Sequence, residues 1–155
     1  MSIEVIEIGD RAPSFRVETT DGPRDLETLL ADGSLVLVFY TEDATPVCTQ
    51  QVQSFSQEHE MLAELGASVP AVSADSMESH KRFAQRMGGL PFPLAADPDL
   101  QLARAFGVVD EEGKRSRRAV FVIGEDGIVR EALPHYHPGA IDQFAAVFGA
   151  LGLEL

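Results

Sequence analysis

Leu35-Val-Leu-Val-Phe-Tyr40 restricts the fold more than any other stretch of this chain: six consecutive residues, none with a charged or strongly polar side chain. Successive residues of a strand point to opposite faces, so a run that is apolar at every position must be covered on both. The run is shorter than a typical buried helix and far short of the ~20 residues that span a membrane. It reads as the central strand of a sheet with helices on both sides, which makes the chain α/β.

The flanking segments fit that frame. Ile3–Ile8 reads as a first strand, a second extended piece runs through Glu18, and Asp21-Gly22-Pro23 marks a turn. Leu26, Leu29 and Leu30 suggest a helical turn. One long helix is expected from Pro46 to Leu65, closed by Gly66, with Cys48, Val52, Phe55, His59 and Leu62 as its apolar stripe. Further strands are expected at Ser68–Ala74 and Phe92–Ala96, and helices at Ser76–Met87 and Asp99–Phe106. Arg118–Ile123 and Ile128–Leu133 read as a hairpin about Glu125-Asp126-Gly127, and Ala140–Leu151 as the last helix. The interior order β-α-β-α-β-α-β-β-α predicts a thioredoxin-like fold, a mixed central sheet flanked by helices. The length of 155 residues fits one domain over 1–155.

Composition narrows the function. With 25 acidic residues against 12 basic ones the net charge is −13, a field that repels nucleic acid and anionic membrane surfaces. Only Lys81 and Lys114 are lysines among the bases. That balance fits either a GC-rich genome or adaptation to high salt. Met1–Asp10 carries Glu4, Glu7 and Asp10, unlike the basic opening of a secretory signal. A single cysteine, Cys48, is consistent with a reducing cytosol and excludes an internal disulfide or a thiolate zinc cluster. A cytoplasmic protein is expected.

Cys48 draws its interest from its place in the chain. Thr45-Pro46 is a helix start, with Thr45 a good N-cap and Pro46 suited to the first helical position. Cys48 then lies in the first turn, beyond the carboxyl end of a sheet strand. There the helix dipole and unpaired backbone N–H groups favour a thiolate. Glu42 and Asp43 oppose one, so a cation is required. Lys114-Arg115-Ser116-Arg117-Arg118 is the dense basic cluster, and strand parity lets only one of Arg117 and Arg118 face inward. No histidine is an obvious partner. His59 lies roughly 16 Å along the helix axis, His80 reads as an exposed helix position, and His135 and His137 are too few for a metal site. Gln51 stands where a C-x-x-C dithiol would need its second cysteine.

Tyr40-Thr-Glu-Asp-Ala-Thr-Pro-Val-Cys-Thr49 resembles the active-site loop of peroxiredoxins of the AhpC/TSA superfamily. It is most similar to the bacterioferritin comigratory protein (PrxQ) type, whose loop reads Tyr-Pro-Lys-Asp-x-Thr-Pro-Gly-Cys-Thr. Gly9-Asp-Arg-Ala-Pro-Ser-Phe15, Val72-Ser-Ala-Asp-Ser76 with His80 and Phe83, Phe92-Pro-Leu-Ala-Ala-Asp-Pro98 and Arg118-Ala-Val-Phe-Val-Ile123 resemble further blocks in the same order. The resemblance implies Cys48 as peroxidatic nucleophile, Thr45 as the hydroxyl that bonds the peroxide, and Arg118 as the cation that holds thiolate and departing oxygen. It implies a thiol-dependent peroxidase for hydrogen peroxide and organic hydroperoxides, a monomer or homodimer without cofactor or metal. An external thiol would recycle it: thioredoxin, glutaredoxin or a low-molecular-weight thiol. Three positions depart from the pattern: Thr41 replaces the loop proline, Val47 a glycine, and Gln53 the resolving cysteine. A redox sensor or partner-binding module with little turnover is the alternative, and an inert thioredoxin-like domain a third reading.

Overall fold

Strand β3 (Ser34–Phe39) is the spine of the molecule, and each of Leu35–Phe39 is at most 1% exposed. Leu35, Leu37 and Phe39 pack into one apolar layer and Val36 and Val38 into the other, as a strand apolar at every position requires. The computed structural model describes residues 5–152.

Around β3 run β1 (Arg16–Thr19), β2 (Gly22–Asp25), β4 (Ala67–Ser68), β5 (Ala71–Ser73), β6 (Leu94–Ala96), β7 (Ala119–Ile123) and β8 (Val129–Leu133). Their order in the sheet is β2-β1-β6-β5-β3-β7-β8, with β4 pairing β3 alongside β5. β3, β4, β5 and β6 pair in parallel, while β7 and β8 join antiparallel on the other side of β3. The sheet is mixed, as expected. Helices α2 (Pro46–Gln57), α3 (His59–Glu64), α4 (Met77–Arg86) and α6 (Ile141–Ala150) cover one face, and α1 (Leu26–Leu30) and α5 (Gln101–Phe106) the other. On the second face the rings of Phe39, Phe106 and Phe121 meet with centroids 5.0–6.0 Å apart, contacts worth about 0.5–1.5 kcal/mol each beyond burial.

Several boundaries differ from the sequence reading. Residues 5–8 of the expected first strand are not in the sheet, and Ile3 and Glu4 lie outside the described residues. Ile6 instead donates its N–H to the Phe106 carbonyl at the end of α5. β2 was not expected; it is an edge strand, where Pro23 loses no ladder bond. The long helix is broken at Glu58, between α2 and α3. One turn before the break the Ser54 hydroxyl donates back to the Gln50 carbonyl at 2.9 Å, a type of bond that bends helices slightly. Pro70, without an N–H, separates β4 from β5. Gly33, at φ 151°, brings the start of β3 against Gly66; a Cβ there would sit 2.1 Å from the Gly66 carbonyl oxygen.

Candidate active site

The loop 41–45 links the carboxyl end of β3 to α2, and Cys48 sits in the first turn of that helix. It is 1% exposed and belongs to the same apolar cluster as Val36, Val38, Val52, Phe55 and Leu62. Cys48, Val52, Phe55 and Leu62 of the expected stripe are thus buried together, while His59, beyond the break at Glu58, is half-buried. The sulfur is also a polar partner: the Thr41 N–H donates to Cys48 Sγ at 3.4 Å. Thr49 is bonded to the Thr45 carbonyl at 2.8 Å, which leaves the N–H groups of Val47 and Cys48 ahead of the first helical bond. Val47, in place of a glycine, turns to solvent with 45% of its surface exposed.

Thr45 occupies the N-cap position with extended backbone (φ −76°, ψ 149°), but its side chain does not cap the helix as expected. The hydroxyl donates to the Glu42 carbonyl at 3.0 Å, across the loop, so its lone pairs remain the acceptor side. Ala44 takes φ 65°, a left-handed conformation that costs a non-glycine residue about 1–2 kcal/mol. The loop therefore holds a shape it would not choose by itself.

Arg118 lies one residue before β7. Val120 and Val122 of β7 pack in the layer that contains Cys48, whereas Ala119, Phe121 and Ile123 pack in the other. Parity puts Arg118 with the first set and Arg117 with the second. Arg118 Nε is buried and without a hydrogen-bond partner among the described residues. Arg117 lines an open groove with Thr41, Asp110, Glu111, Glu112, Lys114 and Arg115.

The acids of the loop, expected to oppose a thiolate, are each paired with a partner, Glu42 with a member of the basic cluster. Glu42 meets Arg115 at 2.7 Å, a partly exposed pair of modest strength. Asp43 meets His80 Nδ1 at 2.9 Å, and neither side chain is more than 4% exposed. His80 was expected on a helix surface and is 0% exposed. α4 has few apolar residues, and His80 and Phe83, three apart, form its buried face. That spacing was the available signal. The ring's Nε2 faces the Ala95 carbonyl at 2.9 Å, and Asp43 also accepts from Ser79 Oγ at 2.7 Å and from the Tyr40 hydroxyl. Burial works against the Asp43 charge, but hydrogen bonds from His80, Tyr40 and Ser79 prevail and hold its pKa below the ordinary value. Burial, then the adjacent Asp43 carboxylate, pushes the Tyr40 phenol far up, so it stays protonated and donates.

Gln51, one turn after Cys48 and named above only for lacking a second thiol, is a further buried polar residue. It is 0% exposed, its Nε2 donates to the Phe39 carbonyl at 2.9 Å, and its Oε1 has no partner among the described residues. Gln53 is exposed. His59 begins α3 beside Phe92, with ring centroids 6.3 Å apart. His135 and His137 are exposed, and no group of three metal-ligating side chains occurs among the described residues. Among those residues, no helix is long and apolar enough to cross a membrane.

Comparison with known proteins agrees with this arrangement. The AhpC/TSA family profile matches residues 8–132. Peroxiredoxin 1 of Sulfurisphaera tokodaii is 35% identical over 133 residues, 81% of this chain and 62% of the relative. This chain spans about six tenths of the length of the first curated relatives it matches, at 62%, 66% and 58%. The crystal structure of peroxidoxin BcpB from Mycobacterium tuberculosis superposes with a TM-score of 0.83 at 30% identity, covering 94% of this chain and 96% of that one. A cysteine-to-serine mutant of PrxQ from Xylella fastidiosa gives 0.84 at 27% identity, covering 95% and 98%. With its thioredoxin-like α/β sheet and one cysteine at the head of α2, the chain belongs to the AhpC/TSA family and is similar to the bacterioferritin comigratory protein (PrxQ) members within it.

Proposed function

We propose that the protein is a one-cysteine thiol peroxidase, one domain over 1–155, acting on hydrogen peroxide and organic hydroperoxides in the cytoplasm. The observation that carries this reading is the position of Cys48. The chain's single thiol lies in the first helical turn of an AhpC/TSA fold, with the Thr41 N–H donating to its sulfur. Cys48 as thiolate attacks one peroxide oxygen; the S–O bond forms as the O–O bond breaks. The departing oxygen takes a proton and leaves as water or an alcohol, and the sulfur becomes sulfenic acid. Arg118, the free N–H groups of the first turn and the Thr45 hydroxyl stabilise the charge that develops on that oxygen. Gln53 offers no second thiol, so an external thiol condenses with the sulfenic acid and expels water. A second thiol equivalent then releases Cys48 as the reductant is oxidised to its disulfide. Thioredoxin, glutaredoxin and a low-molecular-weight thiol each fit that step.

The deciding experiment measures steady-state peroxide consumption with thioredoxin and its reductase, with glutaredoxin and glutathione, and with small thiols alone. Sustained turnover with at least one donor, abolished by Cys48→Ser, is expected. A single stoichiometric oxidation followed by arrest with every donor, or activity retained in Cys48→Ser, overturns the reading.

A further inference from the structure

The polar cluster beneath the loop 41–45 has no role in the chemistry above, yet its side chains are bonded on every side that the hydrogen bonds describe. Asp43 accepts from three side chains that come from two elements: Tyr40 at the end of β3, and Ser79 and His80 on α4. Its backbone N–H donates to Asp75 Oδ2 at 2.9 Å, and that carboxylate is itself fixed by the Ser73 hydroxyl. His80 is held in turn by the Ala95 carbonyl on β6. The ring is thus held on both edges: Nδ1 lies 2.9 Å from Asp43 Oδ2 and 3.2 Å from the Tyr40 hydroxyl, and Nε2 lies 2.9 Å from the Ala95 carbonyl. Asp75, Tyr40, Arg82 and Arg86 are the other titratable or charged groups around Asp43; the two arginines line the cleft above it with Ala44 and Phe83.

A buried ion pair adds little net stability, because desolvation cancels most of the attraction. What it supplies that apolar packing does not is direction. The loop it grips contains the strained Ala44 and, two residues before Asp43, the N–H that reaches the Cys48 sulfur. We infer that Asp43 and His80 are positioning residues for Cys48: the buried pair clamps the loop 41–45 to α4 and β6 so that the Thr41 N–H stays aimed at the sulfur. This rests on the reading of Cys48 as the peroxide-reactive thiol.

Two substitutions at one residue separate positioning from bulk stability. Asparagine in place of His80 sets its amide near Nδ1 and keeps a donor for Asp43 while losing Ala95. Glutamine sets its amide near Nε2 and does the reverse. The second-order rate of Cys48 oxidation by hydrogen peroxide, followed by intact mass from pH 5 to 9, is compared in wild type, His80→Asn, His80→Gln and Asp43→Asn, with melting temperature recorded for each. His80→Gln and Asp43→Asn are expected to lose about tenfold in rate at neutral pH and to shift the pH–rate profile upward, while His80→Asn stays within about threefold. Asp43→Asn, a loop change, decides alone if His80→Gln does not fold. Phe83→Leu, which loosens α4 without touching the carboxylate, is expected to lower the melting temperature and leave the profile in place. Equal losses in the two His80 variants, a wild-type profile in Asp43→Asn, or a shifted profile in Phe83→Leu overturns the clamp. A wild-type Cys48 inert to peroxide overturns both the clamp and the peroxidase reading beneath it.

Discussion

Replacing Thr41 by proline, the residue at this place in the PrxQ-type loop, should make this site slower rather than faster. The Thr41 N–H donates to Cys48 Sγ at 3.4 Å, and proline has no N–H to give. A charge-assisted bond is worth about 1.5–3 kcal/mol, and a long bond to sulfur less, so about 1 kcal/mol of thiolate stabilisation is at stake. At 1.36 kcal/mol per factor of ten, that loss lowers the second-order rate about fivefold at neutral pH. Fold stability should not fall in parallel. Tyr40 precedes the substitution and extends the β3 ladder by donating to the Val72 carbonyl, a conformation that suits a following proline. Proline at a compatible position also gains about 0.4–1 kcal/mol by restricting the unfolded chain. The assay pairs stopped-flow oxidation by hydrogen peroxide from pH 5 to 9 with thermal unfolding, for Thr41→Pro and Thr41→Ala. Alanine keeps the N–H and should behave as wild type. If Thr41→Ala slows as much as Thr41→Pro, or Thr41→Pro is faster than wild type across the pH range, the N–H···S argument is wrong.

Arg118→Ala should reduce the second-order rate with hydrogen peroxide by about 10²–10³, the usual cost of losing a donor at a developing anion, whereas Arg117→Ala should change it by no more than about twofold. Equal losses would reject the parity assignment. Without reductant, graded peroxide should raise the intact mass by one oxygen and then by two, since no second thiol traps the sulfenic acid; absence of any adduct on Cys48 at every dose would sink the one-cysteine mechanism. Gln53→Cys should divert the intermediate to an internal disulfide only as α2 unwinds, because residues five apart lie about 140° apart around a helix; a disulfide formed with α2 helicity unchanged would contradict that geometry. Asp43 has a folded pKa below its ordinary 3.8, so its contribution to stability is present above that value and is lost as pH falls below it. Urea unfolding should therefore show a shallower acid limb in Asp43→Asn, and an unchanged limb would refute the pairing.

Much of the fold was legible because it rests on local periodicity. Six apolar residues in a row demanded cover on both faces, and β3 has it; Cys48, Val52, Phe55 and Leu62 of the expected stripe are buried together. Thr45-Pro46 marked the start of α2 correctly, and one cysteine at a helix start was enough to locate the candidate nucleophile. Some misreadings concern competition between local bonds, others pairings made at long range. The Thr45 hydroxyl, a good cap by residue type, turned to the Glu42 carbonyl instead, and the helix expected to run on to Leu65 breaks at Glu58. Glu42 and Asp43 looked like unopposed charges because Arg115 and His80 are 73 and 37 residues away in sequence. His80 looked solvent-exposed because helix periodicity says which face a residue occupies, not what lies opposite. Sequence determined the central strand, the start of α2 and the thiol at their junction, since these follow from side-chain pattern and backbone preference within a few residues. Tertiary structure decided which charges cancel, which polar side chains are buried, and where the Thr41 N–H points, since each of these depends on groups that only the packing of the sheet brings together.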